Sequence, residues 1–296
     1  MTYVSFPGLG IEPFHMDRIA FSLFGIDVNW YGLIITCGMI LAVLYALRHA
    51  KIEGVKSDDI IDLALFLIVF GVIGARLYYV IMEFDSYLVS GGSFWKNLTG
   101  TLYNIVAVWN GGLAIYGGII AGFLAAVVVA KKKRLRFPVV ADIAGPAVMV
   151  GQIIGRWGNF VNVEAFGAAT DLPWRMGVLY SFDGGITFVT EKFVHPTFLY
   201  ESLWNLIGLI LITYLYNKKK FHGQMFLSYM TWYGFGRTLI EGLRADSLYI
   251  GTIRVSQMVG LLTFLLGAVL LIYNFRKVKK TQTNGTTDEN EVENNG

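Results

Sequence analysis

Seven stretches of this chain, each about 20 residues long and almost free of charge, leave it few ways to fold. They lie at about 29–47, 60–83, 105–130, 139–158, 197–216, 223–243 and 254–275. A run of that length matches the hydrocarbon thickness of a bilayer. In hydrocarbon the backbone must satisfy its own hydrogen bonds, so such runs are helices. The expected fold class is therefore an all-α integral membrane protein with seven transmembrane helices. Composition agrees: 55% of residues are apolar and 15% charged, against roughly 25% charged in soluble domains. No internal repeat is visible.

The connections show which way the bundle faces. Arg48, Lys51 and Lys56 follow the first run, "KKKRLR" the third, "NKKK" the fifth and "RKVKK" the seventh, fifteen basic residues on one side. The other side carries six: Arg18, Lys96, Arg175, Lys192, Arg244 and Arg254. Basic loops stay in the cytoplasm, so the N-terminus is expected outside and the C-terminus in the cytoplasm. The net charge of +3 is small and sits in these short clusters. It argues topology, with no nucleic-acid partner.

Three parts emerge. Residues 1–28 are read as an arm along the outer surface, because Glu12, Asp17 and Arg18 interrupt any signal-peptide core. Within it, "FHMDRIAFSLFGI" has the make-up of an amphipathic interfacial segment. Residues 29–280 are expected to form the seven-helix transmembrane domain. It includes a small extracytoplasmic loop domain at about 159–195, where "VLYSFDGGITFV" predicts a hairpin turning at Asp183-Gly184-Gly185. Residues 281–296 are polar and acidic, and are expected to be a disordered cytoplasmic tail. The single cysteine, Cys37, lies inside an apolar run. It excludes a disulfide framework and a cysteine-rich metal site.

Ionisable groups within spans are expensive and face a bundle interior or a cavity. Here they converge on the outer half of the bilayer: Arg76, Arg156, Arg237, Glu241, His195 and Glu201, with Tyr31 and "WNGGLAIYGG" at the starts of two spans. Asp62 and Asp142 sit at inner ends and read as structural. Arg76 reads as a structural pair with Glu83, and Glu201 as bonding to a neighbouring helix. The glycines of "GGLAIYGGIIAG" ordinarily mean close helix packing. Tyr233, Arg237 and Glu241 are spaced i, i+4, i+8 and share a helix face. Arginine is permanently charged and presents a planar fork suited to phosphate. Arg156 and Arg237 together therefore suggest an anion site, and at that depth the anion is a phospholipid phosphodiester. The plainer reading is a salt bridge from these arginines to Glu164 or Glu241, which is compatible with a site.

Three classes suit a seven-span bundle with an outer polar cavity. A retinal photoreceptor needs a lysine inside a span, and none of the runs carries one in its interior. A transporter tends to show repeats and polar groups near the midplane. An enzyme acting on lipid at the outer surface explains the bias toward one face.

The stretch "GRWGNFVNVEAFG" resembles the signature GRxGNFxNxExxG of bacterial prolipoprotein diacylglyceryl transferases. It matches at Arg156, Asn159, Phe160, Asn162, Glu164 and Gly167. "WYG" at Trp30–Gly32, "GGLAIYGG" at Gly111–Gly118, "HPTFLYE" at His195–Glu201 and "YGFGRTLIEGLR" at Tyr233–Arg244 occur in the family's order.

The resemblance implies transfer of the diacylglyceryl group of phosphatidylglycerol to the lipobox cysteine of a prolipoprotein. A thioether forms and glycerol-1-phosphate leaves, without metal or soluble cofactor, in the bacterial cytoplasmic membrane. It also implies site roles. Arg156 and Arg237 stabilise the phosphate, and Tyr31, Asn159 and Gly167 belong to the phosphatidylglycerol site. Glu164, Glu241 and Asn162 support the arginines, and Tyr233 lines the same face. Many relatives carry histidine where this chain has Tyr116. Either Tyr116 only positions the head group or the base is elsewhere: His195 is the remaining outer-side histidine next to a span, and the arginine field alone could lower the thiol pKa enough.

Overall fold

The computed structural model describes residues 1–184 and 187–294. The chain divides into two compact units, one of residues 1–46 and 141–296, the other of residues 47–140. The first unit opens with strands β1 (Thr2–Phe6), β2 (Ile11–His15), β3 (Ile19–Leu23) and β4 (Ile26–Asn29). Helix α1 (Trp30–Ile52) starts there, and α2 (Ser57–Met82), α3 (Phe94–Val106) and α4 (Ile115–Lys132) belong to the second unit. Helix α5 (Phe137–Val161) leads back to the first unit, followed by β5 (Met176–Ser181), β6 (Phe188–Val194), α6 (Thr197–Leu215) and α7 (Gln224–Glu241). A two-residue ladder of β7 (Tyr249–Ile250) and β8 (Ile253–Arg254) precedes α8 (Val255–Asn294).

Among the described residues six helices are long and apolar enough to cross a membrane: α1, α2, α4, α5, α6 and α8. The expected run at 223–243 is helical as well. Its 18-residue helix α7 carries Arg237 and Glu241 and falls short of those six in apolar character. The expected run at 105–130 is corrected. Residues 107–114 break it, with Gly111 and Gly112 at φ 86° and 76°, and the apolar helix begins only at Ile115. Before the break, α3 is short and amphipathic, with Phe94, Trp95, Leu102 and Val106 exposed.

The N-terminal arm also differs from expectation. It is β-structure. Strand β1 lies between β2 and β5 in a four-stranded sheet of order β2-β1-β5-β6, and β3 and β4 form a separate hairpin. All pairings are antiparallel. Burial explains the central place of β1: in "TYVSF" the residues Tyr3, Val4 and Ser5 are all buried, as in a strand covered on both faces. The fold is therefore α-helical in its apolar part, with a small sheet added. The hairpin expected near Asp183 is present as β5–β6. Asp183 accepts from the Ser181 hydroxyl at 2.6 Å and the Thr187 amide at 2.8 Å. These bonds hold its carboxyl far below the usual range. Gly185 of that turn lies outside the described residues. The tail expected to be unstructured continues α8 to Asn294, since extending a nucleated helix needs no new nucleus.

Two packing features hold the helix ends in place. Val4, Met176, Val178 and Val194 of the sheet form one core with Phe198 of α6, and Phe160 of α5 packs against it. Phe160 and Phe198 stack with ring centroids 4.4 Å apart. In the second unit Gly74 and Gly117 let α2 and α4 touch. A Cβ on Gly117 would lie 2.3 Å from the Gly74 carbonyl oxygen, so the small-residue reading holds for this pair.

Asp142 has the structural role read for it. It is fully buried on α5. Its carboxylate accepts from the amides of Gly223, Met225 and Phe226, at 2.8, 2.8 and 3.1 Å, and meets Lys219 Nζ at 3.0 Å. One helix thereby caps the orphan N–H groups of another. Asp142→Ala leaves Lys219 and three amides without this partner. Breaking a buried pair costs about 3–5 kcal/mol, so unfolding in detergent is expected at clearly lower temperature. An unchanged transition contradicts this role.

Candidate active site

The site is built where α5 ends. Arg156 lies one turn before that end, and the chain then enters a tight turn. Val163 and Ala165 there adopt φ 51° and 57°, a left-handed conformation that β-branched residues rarely take. Neighbouring segments pin the turn. Asn159 O accepts from the Glu164 amide at 3.0 Å, and Thr197 Oγ1 donates to Ala165 O at 2.6 Å. Arg18 donates to Asn162 O at 3.0 Å. Gly167 N donates to His195 O at 2.9 Å, and Ala168 N to Leu243 O at 2.7 Å. A Cβ on Gly167 would stand 2.6 Å from His195 Cβ and 2.9 Å from Leu243 O. Gly167 therefore supplies a close crossing of three backbone segments.

The pinned turn aims side chains back at α5. Glu164 Oε1 accepts from Asn159 Nδ2 at 2.8 Å, and Asn159 Oδ1 accepts from Arg156 Nη1 at 3.2 Å. Glu164 thus orients Arg156 through Asn159. Tyr31, on the first turn of α1, lies against Gly158. A Cβ there would come within 2.9 Å of the tyrosine ring. Tyr31 is within electrostatic reach of both Arg156 and Glu164.

Glu201, on the second turn of α6, joins the two arginines. Its carboxylate meets Arg156 Nη2 at 2.5 Å and Arg237 Nη1 at 2.6 Å. Arg237 Nη2 also meets Glu241 one turn on, at 2.7 Å. Glu201 is 4% and Glu241 2% exposed. Buried charge at that depth requires pairing, and each carboxylate has it. Glu241 is held further by Ser247 Oγ at 2.9 Å, while Arg254 donates to its backbone oxygen at 2.8 Å. Arg244 pairs bidentately with Asp246 at 3.0 and 2.9 Å. Tyr233 is within electrostatic reach of Arg156, Arg237, Glu201 and Glu241.

The alignment matters as much as the distances. Oε2 of Glu201 and Oε2 of Glu241 lie within ion-pair range, yet no aligned hydrogen bond reaches either among the described residues. A guanidinium offers five N–H donors. The contacts to Asn159 and Glu201 engage only the terminal nitrogens of Arg156, whose side chain is the more open of the pair at 20% against 14%. Such a fork suits the oxygens of a phosphate.

A family model described as prolipoprotein diacylglyceryl transferase matches residues 18–273. The chain belongs to that family. Curated relatives named phosphatidylglycerol–prolipoprotein diacylglyceryl transferase include that of Finegoldia magna, 45% identical over 90% of this chain and 99% of its own. That of Clostridioides difficile is 43% identical over 89% and 98%, and that of Listeria innocua 41% over 92% and 93%. The transferase family match starts at Arg18 and so includes the whole cluster, while β1 and β2 precede it.

The candidates read from the sequence divide on this geometry. Arg156, Arg237, Tyr31, Asn159, Glu164, Glu241 and Tyr233 come together. Asn162 contributes its backbone oxygen, and Gly167 its lack of a side chain. Tyr116 stands on the first turn of α4, in the other compact unit. His195 serves through its backbone, and its Nδ1 lies 3.3 Å from the Tyr200 hydroxyl. That hydroxyl accepts from Trp174 Nε1 at 2.7 Å. An indole N–H only donates, so the phenol proton can point at Nδ1.

Glu201 is the residue that sequence reading undervalues, although a carboxylate in the second turn of an apolar helix is a usable signal. Arg18, Thr197, Ser247 and Arg254 give no such signal, because their partners are 6 to 144 residues away and follow no short motif. The expected pairing of Arg76 with Glu83 is corrected, because the guanidinium is taken up by backbone carbonyls. Its Nε donates to Ile105 O at 2.8 Å, Nη1 to Gly112 O at 2.9 Å and to Gly111 O, and Nη2 to Asn104 O and Ala107 O at 2.6 and 3.2 Å.

Proposed function

We propose that the cluster of Arg156, Arg237, Glu201 and Glu241 is where this chain transfers the diacylglyceryl group of phosphatidylglycerol to a prolipoprotein. The observation that carries the reading is the pair of arginines from separate helices on one buried glutamate, with Arg156 donors left over. The basic-residue asymmetry supports a seven-span topology with α7 among the spans, the N-terminus outside and the cluster at the outer leaflet of the bacterial cytoplasmic membrane. Its lower apolar content follows from α7 carrying the polar face of the site.

The acceptor is the lipobox cysteine. Its thiol, with a free pKa near 8.5, gives up its proton, which in the net reaction ends on the departing phosphate monoester or in water, and reacts as thiolate. Sulfur bonds to the glyceryl carbon, the bond from that carbon to the phosphate oxygen breaks, and the electron pair stays on that oxygen. Glycerol-1-phosphate leaves. Arg156 and Arg237 hold the oxygen on which charge develops, a preorganised electrostatic effect. Tyr31 and Asn159 orient the head group. The reacting thiol belongs to the substrate, and the step as written balances without a metal or soluble cofactor.

The Tyr200 hydroxyl already lies against Nδ1 of His195, and the His195 backbone is tied to Gly167 and Ala168, which suits a structural residue. His195→Ala is expected to lower kcat/KM less than about tenfold and to keep the shape of the pH–rate profile. Loss of a general base removes about 10²–10⁴-fold, and a fall of that size with an altered profile returns His195 to the role. The function itself is tested with membranes containing the protein, a lipobox peptide and phosphatidylglycerol. Thioether-linked lipopeptide and free glycerol phosphate are expected. Solute movement across liposomes without peptide modification favours a transporter.

A further inference from the structure

Helices α6 and α7 are joined by an unusual reciprocal contact. Trp204 Nε1 donates to Trp232 O at 3.0 Å, and Trp232 Nε1 donates to Trp204 O at 2.8 Å. The two indoles stack, with centroids 4.5 Å apart and planes 19° apart. Four residues after each tryptophan comes a glycine. A Cβ on Gly208 would lie 2.3 Å from the Trp232 ring, and one on Gly236 would lie 2.2 Å from Trp204 Nε1.

The spacing has a physical reason. A helical carbonyl points toward residue i+4, whose amide it accepts. A side chain at i+4 crowds that oxygen, and glycine leaves it open to a second donor. Each helix therefore presents one tryptophan and one exposed carbonyl, and the partner helix uses both. Both tryptophans are half-buried, and a donor-only indole in an apolar bundle needs an acceptor, so the arrangement favours one register. Sliding α7 by one residue moves a side chain about 1.5 Å along the axis and about 100° around it. Both hydrogen bonds and both glycine contacts are then lost together.

That register is also the one that seats the ion pairs. Glu201 lies three residues before Trp204 on α6, and Arg237 follows Gly236 directly on α7. We propose that Trp204 and Trp232, with Gly208 and Gly236, are positioning residues for the active site: they lock α6 against α7 so that Glu201 meets Arg237 and Arg156. This rests on the reading of the arginine cluster as the phosphate site. The tryptophans touch no substrate and act through Arg237.

The test is a double-mutant cycle on kcat/KM, normalised to folded protein, with Trp232→Phe and Trp204→Phe each made in the native and in the Arg237→Lys background. Phenylalanine keeps a ring for the stack and removes one N–H. Each single variant is expected to lose about tenfold in kcat/KM and to lose the exciton signal of the stacked indoles in circular dichroism. In the Arg237→Lys background the same change is expected to cost less than about threefold, because the residue it positions is already compromised. Where turnover falls below detection, the cycle is read on the thermal shift given by short-chain phosphatidylglycerol. Equal effects in both backgrounds, or lower thermal stability with native kcat/KM, overturn the register role and leave the phosphate site standing. Native activity of Arg237→Lys alone overturns the phosphate site and the register role with it.

Discussion

Arg156→Ala is expected to lower diacylglyceryl transfer by about 10²–10³-fold, the range seen when one preorganised donor to a developing oxyanion is removed. The fall belongs mainly in kcat, because the leaving phosphate gains charge as the carbon–oxygen bond breaks, and the arginine holds that charge most tightly late in the step. Stability should change little. Arg156 is the more open arginine of the pair, and Glu201 keeps Arg237 as its counter-ion at 2.6 Å. Arg156→Lys retains charge but loses the planar fork, and should fall between the two. The measurement is steady-state turnover of a lipobox peptide with phosphatidylglycerol, alongside thermal unfolding of the same preparation. Native turnover in Arg156→Ala removes the phosphate contact. A collapse of stability matching the loss of turnover reassigns the residue to the fold.

Much of this is legible in the sequence because it depends on short-range patterns. The apolar runs announce helices by their length, six of them long and apolar enough to cross a membrane among the described residues, and the stretch from Arg156 to Gly167 announces a family by resemblance. The rest depends on distant partners. Nothing local in "TYVSF" says that β1 will be covered on both sides, so the arm reads as interfacial. Likewise, apolar content cannot show that residues 107–114, with Gly111 and Gly112 at positive φ, part α3 from α4. That break depends on an arginine some 35 residues earlier. Glu201 looks like a helix-to-helix contact, which it is. Its importance comes from bridging two arginines whose separation in sequence is 81 residues. Arg76 and Arg156 look alike in sequence, each a lone arginine within an apolar helix. Only their partners distinguish a spent guanidinium from one with donors left.

Arg76→Leu is expected to be the most destabilising single change in the second unit. Arg76 is buried, and each of its five N–H groups has a carbonyl to meet. Two of those carbonyls, from Asn104 and Ile105, are in the last turn of α3, where the helix leaves its oxygens unpaired and its dipole favours a cation. Three more, from Ala107, Gly111 and Gly112, shape the break that leads to Tyr116. The Tyr87 ring closes over the guanidinium at 5.0 Å. A Cβ on Gly112 would stand 2.7 Å from Arg76 Nη1, so glycine is required there as well. An orphaned buried acceptor costs about 1–3 kcal/mol. If two of the five stay unpaired, the loss in Arg76→Leu is about 2–6 kcal/mol. Lysine carries three N–H groups on one atom and cannot span five oxygens set around a plane, so Arg76→Lys should recover only part of the loss. The ranking native, Arg76→Lys, Arg76→Leu is read from membrane abundance and from thermal unfolding in detergent. Native stability of Arg76→Leu shows that the loop holds itself. Native stability with abolished turnover in that variant likewise removes the stability role.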